Sequence, residues 1–189
     1  MLEGDMTVLA PISFADEVPS DGPLTEVVDG EEVAKPTMSV YANVTAAILI
    51  GELYTYLKQA DLGRVVPEVL FRLQPGNTKM RRPDVAFVSY QRWAKDQDLS
   101  SGNGWEVVPD LAVEVVSPTD LAAEVMRKVY EYLEAGVVEV WLVDPELRRV
   151  HRFDSVGGIT SVGPAGVLDG GSLLPGFELP LADLFRNKA

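Results

Sequence analysis

The sequence predicts a mixed α/β domain, with helices packed on a sheet in the order helix, strand, strand, strand, helix, strand. Three observations lead there. Apolar residues recur at helical spacing from Met38 to Ala60 with no proline between them. Three short apolar runs of strand length follow, each bounded by turn-forming residues. An amphipathic stretch with a capping signal then precedes a fourth such run.

Taken in chain order, residues 1–23 hold Pro11, Pro19, Gly22 and Pro23 without a sustained period, and read as a loose acidic arm. Val27-Val28-Asp29-Gly30 carries the Asp-Gly signal of a β-hairpin. The long helix places Val40, Val44, Ala47, Ile48, Leu53 and Leu57 on its apolar stripe, and Leu62-Gly63 is its expected stop. The first strand is expected from Val65 to Leu73, ended by Pro75-Gly76-Asn77. Val85 to Val88 is the second and Leu111 to Val116 the third, with a polar surface loop at 95–104 between them. Thr119 or Asp120 caps a helix that reaches Ala135-Gly136, with Leu121, Val125, Val129, Tyr132 and Leu133 as its stripe. Val138 to Val143 is the fourth strand, and Val150 to Phe153 pairs beyond it. The glycine-rich tail closes with a short helix or strand at 179–185.

The chain has 189 residues and no cysteine, which excludes disulfides and thiolate metal sites. Its start lacks the basic region of a signal peptide. Its longest apolar run, near Val44 to Ile50, is far shorter than the roughly 20 residues of a membrane span. A cytoplasmic location is the expectation. Net charge is −13, which argues against a nucleic-acid binder, because phosphate contacts dominate such affinity. The charge is uneven, however. Residues 1–39 carry nine acids against the single base Lys35, and so hold −8 of it. Lys79, Arg81 and Arg82 cluster just before Asp84, so a local basic face beside that residue is compatible with the total.

Asp84 and Glu114 stand inside or beside apolar strand-like runs, where an unpaired carboxylate is costly. Strand side chains alternate faces, so Asp84, Ala86 and Val88 share one face of their strand. Ala112, Glu114 and Val116 share one face of theirs. If these strands are neighbours, the two acids converge on one divalent cation. Mg²⁺ prefers such hard oxygen ligands, and a bound ion of this kind activates water against a phosphate. Lys128, on the following helix, is placed to orient that water or to neutralise developing charge.

The residues that carry a resemblance are Val28-Asp29-Gly30-Glu31, Arg82-Pro83-Asp84-Val85-Ala86-Phe87-Val88 and Pro109-Asp110-Leu111-Ala112-Val113-Glu114-Val115-Val116-Ser117-Pro118. Lys128, Tyr132, Val140-Trp141-Leu142-Val143-Asp144-Pro145 and Leu174-Pro175-Gly176-Phe177 continue it. Across about residues 24–186 the chain resembles the Uma-type family, named for restriction endonucleases, within the PD-(D/E)XK nuclease superfamily. The resemblance implies a restriction endonuclease-like mixed sheet flanked by helices, in a single domain at 24–189. It implies a Mg²⁺- or Mn²⁺-dependent endonuclease that hydrolyses DNA phosphodiesters, as a possible homodimer whose two sites cut two strands. Carried over by position, Asp84 and Glu114 would bind the metal and Lys128 would supply the lysine, since Val116 occupies the usual lysine position. The early acid of the pattern corresponds to Glu31 or, alternatively, Glu52. Many relatives have a histidine where this chain has Ser39-Val40-Tyr41. That departure, with the acidic charge, keeps a second reading open: a catalytically weak or inactive nuclease-fold module that binds or oligomerises.

Other candidates read as structure. Trp141 and Phe87 suit a core, and His151 suits a strand surface. Ser117 suits a helix-capping turn, because no nucleophile-elbow motif surrounds it. Gly157-Gly158 and Gly170-Gly171 suit hairpin turns.

Overall fold

The computed structural model describes residues 23–74, 78–99, 101–102 and 104–186. The arm expected at 1–23 lies outside them except for residue 23. The hairpin forms as the Asp-Gly signal predicts: β1 (Thr25–Val28) pairs antiparallel with β2 (Glu31–Ala34). Asp29 and Gly30, at φ 51° and 85°, make the turn with both central residues left-handed, which matches the twist of the strands.

Helix α1 spans Val40–Ala60. Ser39 caps it, its hydroxyl accepting from the Ala42 N–H at 3.2 Å. The buried stripe differs from the expected one. Ala42, Thr45, Ala46, Leu49, Leu53 and Leu57 face the core, whereas Val40 is 82% exposed. The helix is apolar nearly all round, so periodicity alone does not select its inner face. It stops at Asp61, left-handed at φ 50°, rather than at Gly63. Gly63 instead opens β3 (Gly63–Pro67), where a Cβ would lie 2.2 Å from the Val88 carbonyl oxygen.

The strand expected over 65–73 divides into β3 and β4 (Leu70–Arg72). Pro67 cannot extend the ladder and Glu68 takes φ 44°, so the chain turns and enters a different sheet. The remaining strands are β5 (Met80–Arg81), β6 (Val85–Ser89), β7 (Gly104–Trp105), β8 (Leu111–Val115), β9 (Glu139–Asp144), β10 (Arg149–Asp154), β11 (Ile159–Val162), β12 (Val167–Asp169) and β13 (Glu178–Pro180). Helix α2 (Ala122–Glu134) joins β8 to β9, and α3 (Leu181–Leu184) ends the described chain. The tail thus supplies both a strand and a helix. Neither Thr119 nor Asp120 caps α2; Leu121 holds that place, and the Asp120 carboxylate accepts from the Ser117 N–H at 2.8 Å.

The main sheet has six strands in the order β11-β10-β9-β8-β6-β3, with β8 and β9 parallel and the other pairs antiparallel. The parallel pair needs a crossover, and α2 provides it. A smaller sheet, β2-β1-β5-β4-β7, lies beside it. Alternation sorts the main sheet's side chains onto two faces. Val85, Phe87, Leu111, Val113, Trp141 and Val143 pack with α1. Ala86, Val88, Ala112 and Val140 pack with Val129 and Tyr132 of α2. Each fully buried leucine, such as Leu49 or Leu53, contributes about 1.5–3 kcal/mol. Among the described residues no helix is long and apolar enough to cross a membrane.

Candidate active site

The β6–β8 register positions the two acids. Val85 pairs with Val113 and Ala86 with Ala112. Continuing that register by one residue sets Asp84 across from Glu114, on the α2 side of the sheet. Both are buried, at 4% and 8% exposure. Asp84 accepts from the Val115 N–H at 2.6 Å through one oxygen and from Lys35 Nζ at 2.7 Å through the other. Glu114 accepts from the Tyr132 hydroxyl at 2.7 Å and from Lys128 Nζ at 3.3 Å. Lys128 and Tyr132 are one helical turn apart on α2, so both reach the same carboxylate.

Residues of the N-terminal hairpin extend the cluster. Glu26, on β1 and 2% exposed, lies 3.3 Å from Lys128 Nζ and 2.8 Å from Arg81 Nη1, and accepts from the Arg82 N–H at 3.0 Å. Arg81 also meets Glu131 of α2 at 2.6 Å. Lys35 follows β2, and its ammonium bridges Asp84 and Glu68, the latter at 3.0 Å. A chain of alternating charge therefore runs from Glu131 through Arg81, Glu26 and Lys128 to Glu114.

The structure brings Asp84, Glu114 and Lys128 together, but neither Glu31 nor Glu52. Glu31 is exposed on β2 opposite Val28, and Glu52 is exposed on α1. Neither lines the cavity that the other three share. The acid that reaches the lysine is Glu26, on the other strand of the same hairpin. Its signal was present in Thr25-Glu26-Val27-Val28: an acid inside an apolar strand, the same feature that singles out Glu114. Lys35 had a weaker signal, as the one base among nine acids. The other residues have structural settings. Trp141 and Phe87 are buried in the core, and His151 is half-buried on β10. Ser117 accepts from the Ser39 N–H at 3.1 Å, bracing the start of α1.

Burial dominates the electrostatics. It pushes the Glu114 carboxyl up to about 7; Lys128 opposes the rise, while Asp84 and Glu26 add to it. Burial would lower the Lys128 ammonium, but Glu114, Glu26 and Asp84 outweigh it and raise it above the usual lysine value. Lys35 is raised in the same way, with Asp84 and Glu114 prevailing over burial. Both lysines are therefore cations at neutral pH. Burial and the adjacent Glu114 hold the Tyr132 hydroxyl well above its ordinary value, so it remains a donor. Glu26 is lowered: burial works against this, but Lys128, the Arg82 N–H and Arg81 prevail.

The cavity has a volume of about 270 Å³ and is lined by Asp84, Glu114, Lys35, Lys128, Ser117 and Glu124 among others. Among the described residues no three acidic or imidazole side chains form a metal cage. Two carboxylates on adjacent strands nevertheless suit Mg²⁺ or Mn²⁺, which take one or two protein carboxylates and keep oxygens from water or phosphate. Each carboxylate oxygen already accepts one hydrogen bond and has a second lone pair. The donor set fits such an ion, with Lys35 standing on one of its oxygens.

No curated protein matches the chain. A solved structure does, described as a putative nuclease belonging to DUF820 from Anabaena variabilis ATCC 29413. The TM-score is 0.76 at 20% identity, covering 89% of this chain and 93% of that one. The two share a fold. The model of the Uma2 family, described as "Putative restriction endonuclease", matches residues 14–182. This span includes both acids and the helix that carries the lysine, and the chain belongs to the Uma2 family.

Proposed function

We propose that the chain is a divalent-metal-dependent endonuclease that hydrolyses phosphodiester bonds, with DNA as substrate. The observation that carries this reading is the placement of Asp84 across from Glu114, with Lys128 3.3 Å from Glu114, around one cavity. Asp84 and Glu114 would hold Mg²⁺ or Mn²⁺. When bound, such an ion lowers the pKa of water and stabilises charge on the phosphate. Lys128 is protonated, so its role is to orient the attacking water and offset negative charge on the phosphate, not to act as a base. Glu26 and Arg81 fix that ammonium, and Tyr132 orients Glu114. Water adds to phosphorus and gives up a proton to solvent, the bond to the leaving sugar oxygen breaks, and that oxygen takes up a proton from solvent in return, so the proton count closes. Residues 24–189 would act as one domain, in the cytoplasm, with a homodimer able to cut both strands.

Incubation of labelled duplex DNA and RNA with Mg²⁺ or Mn²⁺ tests this. Wild type should cleave the DNA, whereas Asp84→Asn and Glu114→Gln should fall to background while keeping their circular dichroism. Wild-type rates in both variants overturn the assignment. The second reading, a nuclease-fold module without efficient catalysis, is favoured by one observation: the Lys35 ammonium already neutralises Asp84. Failure of the folded wild type to cleave either nucleic acid with either metal would support that reading.

A further inference from the structure

We infer that Lys35 is an internal competitor for the metal: its ammonium takes the place of a cation on Asp84 and must move onto Glu68 before a divalent ion can bind. The inference rests on the proposed metal site and adds to it a built-in control of occupancy.

The geometry carries the argument. Lys35 Nζ is 2.7 Å from Asp84 Oδ1, and both side chains are 4% exposed. The other Asp84 oxygen is engaged by the Val115 N–H at 2.6 Å, a backbone group that cannot withdraw without opening the end of β8. Lys35 and Asp84 both line the cavity, so a cation approaching Asp84 meets the ammonium beside it. Charge points the same way. Asp84 already has the Lys35 ammonium and Glu114 the Lys128 ammonium, so each carboxylate has a cation beside it before any ion arrives. Adding two positive charges beside both ammonium groups is unfavourable at these distances. Of the two, Lys35 has somewhere to go. Glu68 already holds the same ammonium at 3.0 Å and its side chain is 38% exposed, so it leads out of the buried site. Lys128 lies between Glu26 and Glu114, both nearly buried, so leaving Glu114 does not by itself carry it towards solvent.

Calorimetric titration with Mn²⁺ on wild type, Lys35→Met and Lys35→Arg provides the test. Lys35→Met should bind about tenfold or more tightly than wild type, the effect of removing one competing charge beside the carboxylate. Lys35→Arg should bind no more tightly than wild type. Equal affinity in wild type and Lys35→Met overturns the competition while leaving the metal site intact. No binding to either folded protein overturns both readings. Because Lys35→Met leaves a buried acid without its ammonium and can fail to fold, a second measurement uses the wild type alone. Acetylation of Lys35, read by mass spectrometry with and without Mg²⁺, should rise several-fold when the ion binds. An unchanged Lys35 modification rate in the presence of saturating Mg²⁺ also overturns the inference.

Discussion

The Tyr132 hydroxyl donates to Glu114 at 2.7 Å from a residue with no solvent exposure, so the carboxylate is oriented from below by a group that cannot ionise at neutral pH. This bond is the route by which the core of α2 reaches the site.

Tyr132→Phe removes one hydroxyl and leaves a buried carboxylate oxygen without its donor. The expected cost is about 1–3 kcal/mol. Thermal melting should show that loss in the metal-free protein. Mn²⁺ calorimetry should show weaker binding, because Glu114 is then free to rotate. A variant with wild-type melting and wild-type affinity would mean that Lys128 alone orients Glu114.

The raised Glu114 carboxyl makes the metal-free protein pH-sensitive. The folded group titrates at about 7 against 4.5 for its ordinary value, so the folded state holds the extra proton between them. Its contribution to stability is therefore complete below pH 4.5, falls as pH rises towards 7, and is gone above. Linkage puts the loss on the order of 3 kcal/mol. Chemical unfolding at pH 5 and pH 8 should show the decline in wild type and a flatter profile in Glu114→Gln. Mn²⁺ affinity should rise across the same interval, since the ion must displace that proton.

Glu26 holds Lys128 and Arg81 at once, and Arg81 is 1% exposed. Glu26→Gln leaves two buried cations short of a partner. Breaking such a pair typically costs 3–5 kcal/mol; Glu131 still pairs with Arg81, so a value of about 3 kcal/mol is expected. Urea denaturation measures it. A cost below about 1 kcal/mol would show that Glu131 and Glu114 suffice for both cations.

Gly63 pairs with Ser89 at the first rung of β3 and β6. A methyl group there would meet the Val88 carbonyl oxygen at 2.2 Å and the Phe87 ring at 2.6 Å, and the first of these is backbone. Gly63→Ala should cost about 1–3 kcal/mol through strand displacement. Melting reads the loss, and an unchanged midpoint would require β3 to be loosely paired.

By itself, the sequence determined the class of sheet, the order of its core elements and the three residues most visible to local reasoning. An acid in an apolar strand is a local anomaly, and strand alternation is a local rule. Together they let Asp84 and Glu114 converge if their strands are neighbours, and the amphipathic stretch put Lys128 on the helix that follows. Tertiary structure decided what periodicity leaves open. Which face of α1 is buried depended on the sheet beneath it, because the helix is apolar on most sides. The break at Pro67-Glu68 depended on a backbone turn that sends β4 into the second sheet. Glu26 and Lys35 joined the site because that second sheet folds the N-terminal hairpin against α2 and the start of β6, 58 and 49 residues away from Glu26 and Lys35 to Asp84 in sequence. Contacts at such separations are set by how two sheets pack, and no short window of sequence contains that information.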